Sequence, residues 1–322
     1  MAQTWWRRWI FLLVGLGCAS LLQAQEARTG AQGESQGAGS SASMRLAPGQ
    51  QPADFSRGSI RFIGNATVLL EFAGFTILTD PNFLHKGEHV HLGYGLRSER
   101  LTEPAMRLED LPPIDLVLLS HLHGDHFDQL VQEKLPRDLP IVSTPGAVEG
   151  LKKLGFTRTT PLEQWDTLSI RKGDALLRIS AMPARHGPPV LAAALPQTMG
   201  SMLDFVTPDG MLAYRAYITG DTMMFDAIEA IPRRYPGIDL ALLHLGGTKI
   251  LSLVTVTMDA KEGVRMMQVV APRHAIPIHY NDYDVFKSSI EEFEQEATRA
   301  GLREKLTFLK HGERFEFRAR GK

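Results

Sequence analysis

Residues 120–128 contain three histidines and two aspartates, in the order Ser-His-Leu-His-Gly-Asp-His-Phe-Asp. Residues 114–119 before them are mostly apolar and follow Pro112 and Pro113, a pattern typical of a short buried strand. A loop that leaves a strand can direct alternate side chains toward one point, and imidazole nitrogens and carboxylate oxygens both bind zinc. The stretch therefore predicts a metal site at the end of a strand. The alternative, a solvated loop with incidental histidines, fits three histidines at this spacing poorly.

Apolar runs elsewhere in the chain predict the elements that would position this stretch. Residues 139–143 indicate a strand, and Thr144 with Pro145 marks the start of a helix after it. Strand followed by helix indicates an α/β fold. Other strands are predicted at residues 59–64, 67–72, 76–79, 176–182, 201–206, 211–218, 239–243 and 275–278, and a capped helix follows Asp259.

Several predicted strands end beside a histidine or an aspartate. His186 follows the strand at 176–182, and Asp221 follows the strand at 211–218. His244 and His279 directly follow the strands at 239–243 and 275–278. For His244, two interpretations stay open: contact with a substrate or proton transfer, and a buried histidine that is hydrogen-bonded to the backbone.

The stretch 120–128 resembles the His-x-His-x-Asp-His-x-Asp motif of the metallo-β-lactamase superfamily, and Gly-Asp-Thr at 220–222 resembles a second motif of that family. The likeness extends over residues 58–318. It implies an α/β fold, the αββα four-layer sandwich, in which two mixed sheets pack face to face with helices outside. Metal ions would lie at one edge of the sheets.

The resemblance also implies two divalent metal ions and their ligands. Four ligand side chains in 120–128 exceed what one catalytic zinc with an open position needs, which agrees with two ions. We expect zinc, with manganese or iron as alternatives. Asp80 would orient a ligating histidine, and Asn65 stands where many relatives have a histidine. The implied ligands are His121, His123 and His186 for metal one, Asp125, His126 and His279 for metal two, and Asp221 between them.

The implied function is an exported hydrolase whose two ions share a hydroxide and cleave an ester, lactone or phosphodiester bond. Asp125 would orient the hydroxide, and His244 or Tyr280 could donate a proton to the leaving group. Residues 257–262 and His279-Tyr280 resemble the branch that contains ascorbate-6-phosphate lactonase and N-acylphosphatidylethanolamine phospholipase D. A β-lactamase and a non-catalytic metal- or substrate-binding protein are the alternatives. A di-iron oxygen reductase would typically have glutamate at position 123.

Composition limits the partners of the chain. Its 322 residues are 43% hydrophobic and 22% charged, with a net charge of −1, as in an ordinary globular protein. No overall positive field favours nucleic acid or an anionic membrane surface. We therefore expect a small-molecule substrate, and the oligomeric state stays open.

The N-terminus has the layout of a secretory signal. Arg7 and Arg8 precede an apolar run at 10–22 that is too short to span a bilayer, and a cut after Ala24 is predicted. The only cysteine, Cys18, would be removed, unless it is the lipidated first residue of a lipoprotein. The prediction is a signal peptide at 1–24 and a periplasmic or secreted protein with no membrane span in the mature chain.

The rest of the chain divides into a linker and one domain. Residues 25–57 are rich in Gly, Ser, Gln and Ala and predict a flexible linker, and residues 58–320 form the metallo-β-lactamase-like domain. Residues 82–112 carry His85, His89 and His91 and predict a loop over the site. These histidines are either solvated or in contact with substrate. His274 and His311 are predicted to be structural.

Overall fold

A computed structural model describes residues 39–49, 51–93, 95–192, 195–250 and 254–320. The predicted signal peptide, Cys18 and the linker before residue 39 lie outside these ranges. Within them, no helix has the length and apolar character needed to cross a membrane.

The β-strands carry most of the architecture, and each is short, as is usual in α/β domains. In chain order they are β1 (Ser41–Leu46), β2 (Arg57–Gly64), β3 (Thr67–Phe72), β4 (Phe75–Thr79), β5 (His89–His91), β6 (Arg97–Glu99), β7 (Leu116–Leu118), β8 (Ile141–Ser143), β9 (Thr159–Pro161), β10 (Thr167–Lys172), β11 (Ala175–Met182), β12 (Gly200–Val206), β13 (Leu212–Ile218), β14 (Leu240–His244), β15 (Lys249–Ile250), β16 (Val254–Thr255), β17 (His274–Ile278) and β18 (Arg314–Arg318).

The helices begin at the residues that the sequence marks as caps. The Thr144 hydroxyl accepts from the Ala147 amide at 3.2 Å, and the Asp259 carboxylate accepts from the amides of Lys261 and Glu262 at 3.0 Å. The α-helices are α1 (Gln129–Lys134), α2 (Pro145–Lys153), α3 (Pro189–Ala192), α4 (Ala230–Arg234), α5 (Ala260–Val270) and α6 (Ile290–Arg299).

The described strands form two mixed seven-stranded sheets and two small ribbons, β5–β6 and β15–β16. One sheet has the order β18-β2-β3-β4-β7-β8-β9, with β4, β7, β8 and β9 parallel. The other has the order β1-β10-β11-β12-β13-β14-β17, with β13, β14 and β17 parallel. The C-terminal ends of β4, β7, β13, β14 and β17 can therefore present their following residues at sheet edges.

Three hydrophobic clusters define four layers. The largest cluster joins the inner faces of both sheets, with Ile60 and Leu70 from one and Leu177 and Leu203 from the other. A second covers the outside of the β13–β14–β17 sheet with residues of α5 and α6, and a third covers the β4–β7 sheet with residues of α1 and α2. Because each sheet is covered on both faces, strands such as β7 and β14 consist largely of buried apolar residues. The predicted αββα sandwich is confirmed.

Two predicted boundaries are wrong. Residues 41–46, assigned to the flexible linker, form β1, which pairs in parallel with β10 because Met44 and Leu46 pack against the core. The predicted loop at 82–112 contains the ribbon β5–β6, where Val90 between two exposed histidines is fully buried. A single buried residue in a polar segment gives too weak a period to be recognised from sequence.

Candidate metal centre

The loops at the C-terminal ends of the strands bring the predicted ligands together. His121 to His126 follow β7, His186 follows β11, Asp221 follows β13 and His279 follows β17. Their donor atoms form two groups, in each of which all atoms lie within 4.8 Å of one another. The groups are His121, His123 and His186, and Asp125, His126, Asp221 and His279.

The first group is a triangle of imidazoles. Nε2 of His121 lies 2.9 Å from Nδ1 of His123, and the ring centroids of both lie within 5.2 Å of the His186 ring. Ligand nitrogens around tetrahedral zinc are about 3.3 Å apart, as Zn–N distances of about 2.0–2.1 Å require. The convergence of three ring nitrogens therefore matches a three-histidine metal site.

The second group combines two carboxylates with two imidazoles. Nε2 of His126 lies 3.3 Å from Oδ2 of Asp221 and 3.7 Å from Oδ2 of Asp125. Nε2 of His279 lies 3.3 Å from the same Asp125 oxygen. All four side chains are nearly or fully buried, so the charges lie where attraction is strong. A divalent cation fits this set of donors.

Asp221 connects the two groups. Its Oδ2 lies 4.0 Å from Nε2 of His121 and 3.3 Å from Nε2 of His126, the nearest histidines of the two groups. Gly220 before it has φ +62°, and a Cβ there would lie 2.4 Å from the carbonyl oxygen of Met199. Only glycine permits this close approach. Asp221 therefore lies between the two groups of donor atoms.

Hydrogen bonds outside the groups fix which ring nitrogen faces inward. Nδ1 of His186 donates to the carbonyl of Val256 at 2.9 Å, and Nδ1 of His279 lies 3.2 Å from the carbonyl of Leu245. Nδ1 of His121 lies 3.0 Å from the Ser120 hydroxyl. Each contact at Nδ1 directs Nε2 of the same ring toward the interior of its group, which is how metal-binding histidines are usually oriented.

Asp80 lies behind the second group, as predicted. Its Oδ1 accepts from the Ser120 amide at 2.7 Å, and its Oδ2 lies 3.5 Å from Nδ1 of His126. Burial raises the pKa of Asp80, but His126 and His244 outweigh this effect and lower the pKa to about 2. An ionised Asp80 therefore holds the His126 ring with Nε2 directed at Asp125 and Asp221.

Several donor atoms have no hydrogen-bond partner among the described residues. Oδ1 of Asp125, Oδ1 of Asp221 and Nε2 of His126 are buried and make no hydrogen bond. Buried polar atoms are normally satisfied, so three orphans in one site require an explanation. A metal ion would satisfy them, and the donor types suit zinc. The residues present therefore fit a metal centre.

The two groups differ in their protonation. Burial lowers the pKa of His121 well below its usual value, and burial with repulsion from His186 lowers that of His123 to about 4. Burial opposes protonation of His126 too, but the charges of Asp221 and Asp125 outweigh it and raise its pKa well above 6.5. The pKa of His279 is raised for the same reason. The surroundings therefore favour neutral histidines in the first group and protonated histidines in the second.

The structure corrects the catalytic prediction for His244. The residue is fully buried, its Nε2 lies 3.3 Å from Oδ2 of Asp80, and its Nδ1 lies 3.3 Å from the hydroxyl of Thr219. Its ring is parallel to that of His126, with centroids 5.9 Å apart. Both ring nitrogens already have partners behind His126, so His244 supports Asp80 and does not face a substrate.

The structure also corrects the catalytic prediction for Tyr280. Its side chain is buried in the cluster outside the β13–β14–β17 sheet, with Phe293 and Leu306. Burial, with Asp282 nearby, raises its pKa to about 12. That cluster contains none of the predicted ligands, which agrees with the side chain next to His279 in sequence lying on the other side of the strand exit.

The remaining histidines have partners outside the centre. Nδ1 of the exposed His85 lies 3.0 Å from Glu103, and His89 and His91 have exposed side chains at the two ends of β5. Nε2 of His274 lies 2.7 Å from the Thr307 hydroxyl, and Nδ1 of His311 lies 3.1 Å from the carbonyl of Glu103. The last two have the structural role that was predicted.

Asn65 contributes although the sequence left its role in doubt. Its Nδ2 donates to the carbonyl of Asp125 at 2.6 Å, and its own carbonyl accepts from the His279 amide at 2.9 Å. The residue has φ +52°, a conformation that asparagine tolerates better than most residues. Asn65 therefore joins the backbones of two ligands, a role that a turn-forming Gly-Asn pair does not reveal.

Comparisons with known proteins agree with the geometry. A metal-dependent hydrolase of Nanoarchaeum equitans is 27% identical over 195 residues, covering 61% of this chain and 83% of its own, and one of Pyrococcus furiosus is 28% identical over 213 residues, covering 65% and 84%. The crystal structure of an isothiocyanate hydrolase from Delia radicum gut bacteria has a TM-score of 0.70 at 21% identity, over 81% of this chain and all of that chain.

A metallo hydrolase of the archaeon Ignicoccus hospitalis has a TM-score of 0.59 at 22% identity, over 81% of this chain and 99% of that chain. These likenesses show the fold. The narrower resemblance to the lactonase and phospholipase D branch stays a prediction. Residues 76–280, more than half of the chain, match the family described as "Beta-lactamase superfamily domain". The chain therefore belongs to the β-lactamase superfamily.

Proposed function

We propose that the chain is an exported hydrolase that uses two divalent metal ions to cleave an ester, lactone or phosphodiester bond. The main support is the division of seven donor side chains, six of them buried, into two adjacent groups with Asp221 between them. A protein that stored a single structural ion would need only four donors, all satisfied by that ion. The donor types support zinc, with manganese or iron as alternatives.

Two ions at these residues would lower the pKa of bound water and polarise the bond to be cleaved. The protein supplies position and charge. His123 is the most accessible histidine ligand, with intermediate exposure, so a substrate would approach from its side. Asp125 is nearly buried, and its carboxylate has two oxygens, so one would help to hold the second metal while the other orients the attacking water and accepts its proton.

The comparisons support hydrolysis as the reaction class. The relatives from Nanoarchaeum equitans and Pyrococcus furiosus are named metal-dependent hydrolases, and a structural neighbour is named an isothiocyanate hydrolase. A β-lactamase remains an alternative because it needs the same centre. A non-catalytic binding protein is a further alternative, because the same donors would hold metal ions without turnover.

Export rests on residues 1–24, whose charged, apolar and small-residue regions follow each other in the order of a secretory signal. Removing residues 1–24 also removes Cys18, so the mature chain would contain no cysteine and would form neither a disulfide nor a thiolate–metal bond.

A substrate panel tests the proposal. Metal-replete protein is incubated with lactones, carboxylic esters, phosphodiesters, isothiocyanates and β-lactams, and product formation is measured beside protein with Asp221→Asn. We expect turnover of an ester, lactone or phosphodiester by the first protein and loss of it in the variant. Turnover of β-lactams alone would show that the substrate class proposed here is wrong. No turnover of any panel member, with both metals bound, would support the alternative of a non-catalytic binding protein.

A further inference from the structure

Arg100 is fully buried and lies outside the set of metal ligands. Its Nε donates to the carbonyl of Thr102 at 3.0 Å, and its Nη1 donates to the carbonyl of Asn82 at 3.2 Å and also contacts Oδ1 of Asn82. Its Nη2 lies 3.5 Å from Oδ1 of Asp282, which is fully buried as well. A buried ion pair adds little stability by itself, so its bonds point to a role in fixing a geometry.

One set of these bonds leads to Asp125. Oδ1 of Asn82 receives the guanidinium of Arg100 and the hydroxyl of Tyr283, the latter at 2.8 Å. With two donors on Oδ1, the Asn82 amide group must present its Nδ2 to the other side. There Nδ2 donates to the carbonyl of Gly124 at 3.2 Å. Arg100 therefore orients an amide that holds the backbone directly before Asp125.

A second set leads to His279. Arg100 and Tyr283 form an isolated antiparallel bridge, and the Leu101 amide donates to the carbonyl of Asp282 at 2.8 Å. The segment 282–283 begins three residues after His279, whose φ is +60°. A ligand in this sparsely populated conformation needs surrounding bonds to keep it. The bonds around Arg100 fix the chain that follows the ligand.

A third contact, with the backbone of Gly64, connects Arg100 to Asp125 and His279 through the next residue, Asn65. A Cβ at Gly64 would lie 2.9 Å from Nη2 of Arg100 and 3.2 Å from Oδ1 of Asp282, so the backbone of Gly64 rests directly on this pair. The next residue, Asn65, bonds the Asp125 carbonyl and the His279 amide.

We propose that Arg100, paired with Asp282, is a positioning residue for the second metal group. Through Asn82, Arg100 holds the backbone before Asp125, and through residues 282 and 283 it holds the backbone after His279. The first group is held by different residues, since Ser120 contacts His121 and Val256 accepts from His186. Loss of the guanidinium fork should therefore lower the affinity for the second metal and leave the affinity for the first metal unchanged. This inference rests on the two-metal function proposed above.

Arg100→Lys tests it, because lysine keeps the charge and loses the planar fork that bonds three groups at once. Zinc content after dialysis and zinc affinity by chelator competition are measured for the wild type, Arg100→Lys and His279→Ala, the last as a one-metal reference. We expect Arg100→Lys to keep the first metal with unchanged affinity and to bind the second about 10- to 100-fold more weakly, the usual effect of losing a residue that orients ligands.

Arg215→Lys is the matched control. Nε and Nη2 of Arg215 bond both carboxylate oxygens of Asp204 at 2.6 and 2.7 Å, so the same substitution removes a fork far from the centre. This variant should bind both metals like the wild type. If Arg100→Lys does not fold, Tyr283→Phe removes only the hydroxyl on Asn82 and should weaken the second metal about 2- to 10-fold.

Retention of both metals at wild-type affinity in a folded Arg100→Lys protein would overturn the inference. Equal weakening of both metals would overturn it too, because that is the effect of a general structural residue. If Tyr283→Phe has to be used instead, wild-type affinity for both metals, or an equal loss of affinity for both, would again overturn the inference. A wild-type protein that binds one metal would instead contradict the two-metal function, and with it this inference.

Discussion

Nε2 of His279 lies 3.3 Å from Oδ2 of Asp125, although 154 residues separate them in the chain. The two residues follow β17 and β7, which belong to different sheets. The second metal group therefore exists only when the sandwich has assembled, and its geometry depends on the residues that hold these two loops at a fixed separation.

Asp125→Asn should separate chemistry from binding. The substitution keeps the size and one oxygen but removes the charge that helps to hold the second metal and that accepts a proton. We expect kcat to fall about 10²- to 10⁴-fold, the range for a positioned acid-base group. Turnover and affinity are measured on the substrate that the panel identifies, with circular dichroism as a control for folding. Full turnover with both metals bound would rule out this role for Asp125.

His244→Phe tests the corrected role of His244. Phenylalanine keeps the ring beside His126 but loses the nitrogen that lies 3.3 Å from Asp80. If His244 supports Asp80 and His126, the second metal should bind about tenfold or more weakly, and excess zinc should restore turnover. Metal content and kcat are measured with and without added zinc. Low kcat with both metals fully bound would instead indicate a proton donor.

The two metals should differ in their response to pH. The pKa values of His126 and His279 are raised, so a proton must leave before the second metal binds, and acid competes with the metal. The pKa values of His121, His123 and His186 are lowered, so no proton competes near neutral pH. From pH 7.5 to 6, affinity for the second metal should fall about tenfold per pH unit for each displaced proton, while affinity for the first stays nearly constant.

Calorimetry in two buffers of different ionisation enthalpy measures this difference directly. Binding of the second zinc should release at least about one proton at pH 7, and binding of the first should release almost none. Equal proton release for both ions would mean that the aspartates of the second group do not keep its histidines protonated.

The mature protein should begin near Gln25 and lie outside the cytoplasm, because residues 1–24 have the order of charged and apolar regions that export requires. Mass spectrometry of the exported product tests this. An intact Met1 would exclude cleavage, and a diacylated Cys18 as the first residue would show a lipoprotein.

The sequence predicts that the candidate ligands converge because each follows an apolar strand, and parallel strands place such residues at one edge. The division of His121, His123 and His186 from Asp125, His126 and His279 was implied by resemblance, and the geometry agrees with it. The supports of the ligands could not be predicted in the same way. Arg100 and Asn82 lie in a segment of weak periodicity, and their partners at 282 and 283 are distant in sequence.

The errors have a common cause. His244 and Tyr280 both lie at strand exits, a position that favours a functional role, but sequence does not tell which face of the exit a side chain occupies. The structure places His244 against Asp80 and Tyr280 in the hydrophobic cluster outside the β13–β14–β17 sheet. The edge strand β1 was missed because the Gly- and Ser-rich composition around residues 41–46 outweighed their weak alternation.

The metal content of the purified wild-type chain tests the central claim most directly. The protein is saturated with zinc at pH 7.5, freed of excess metal by gel filtration and measured by inductively coupled plasma mass spectrometry beside His123→Ala and His279→Ala. We expect about two zinc ions per wild-type chain and about one in each variant, because each variant loses a ligand of one group. One ion or none per wild-type chain would contradict it.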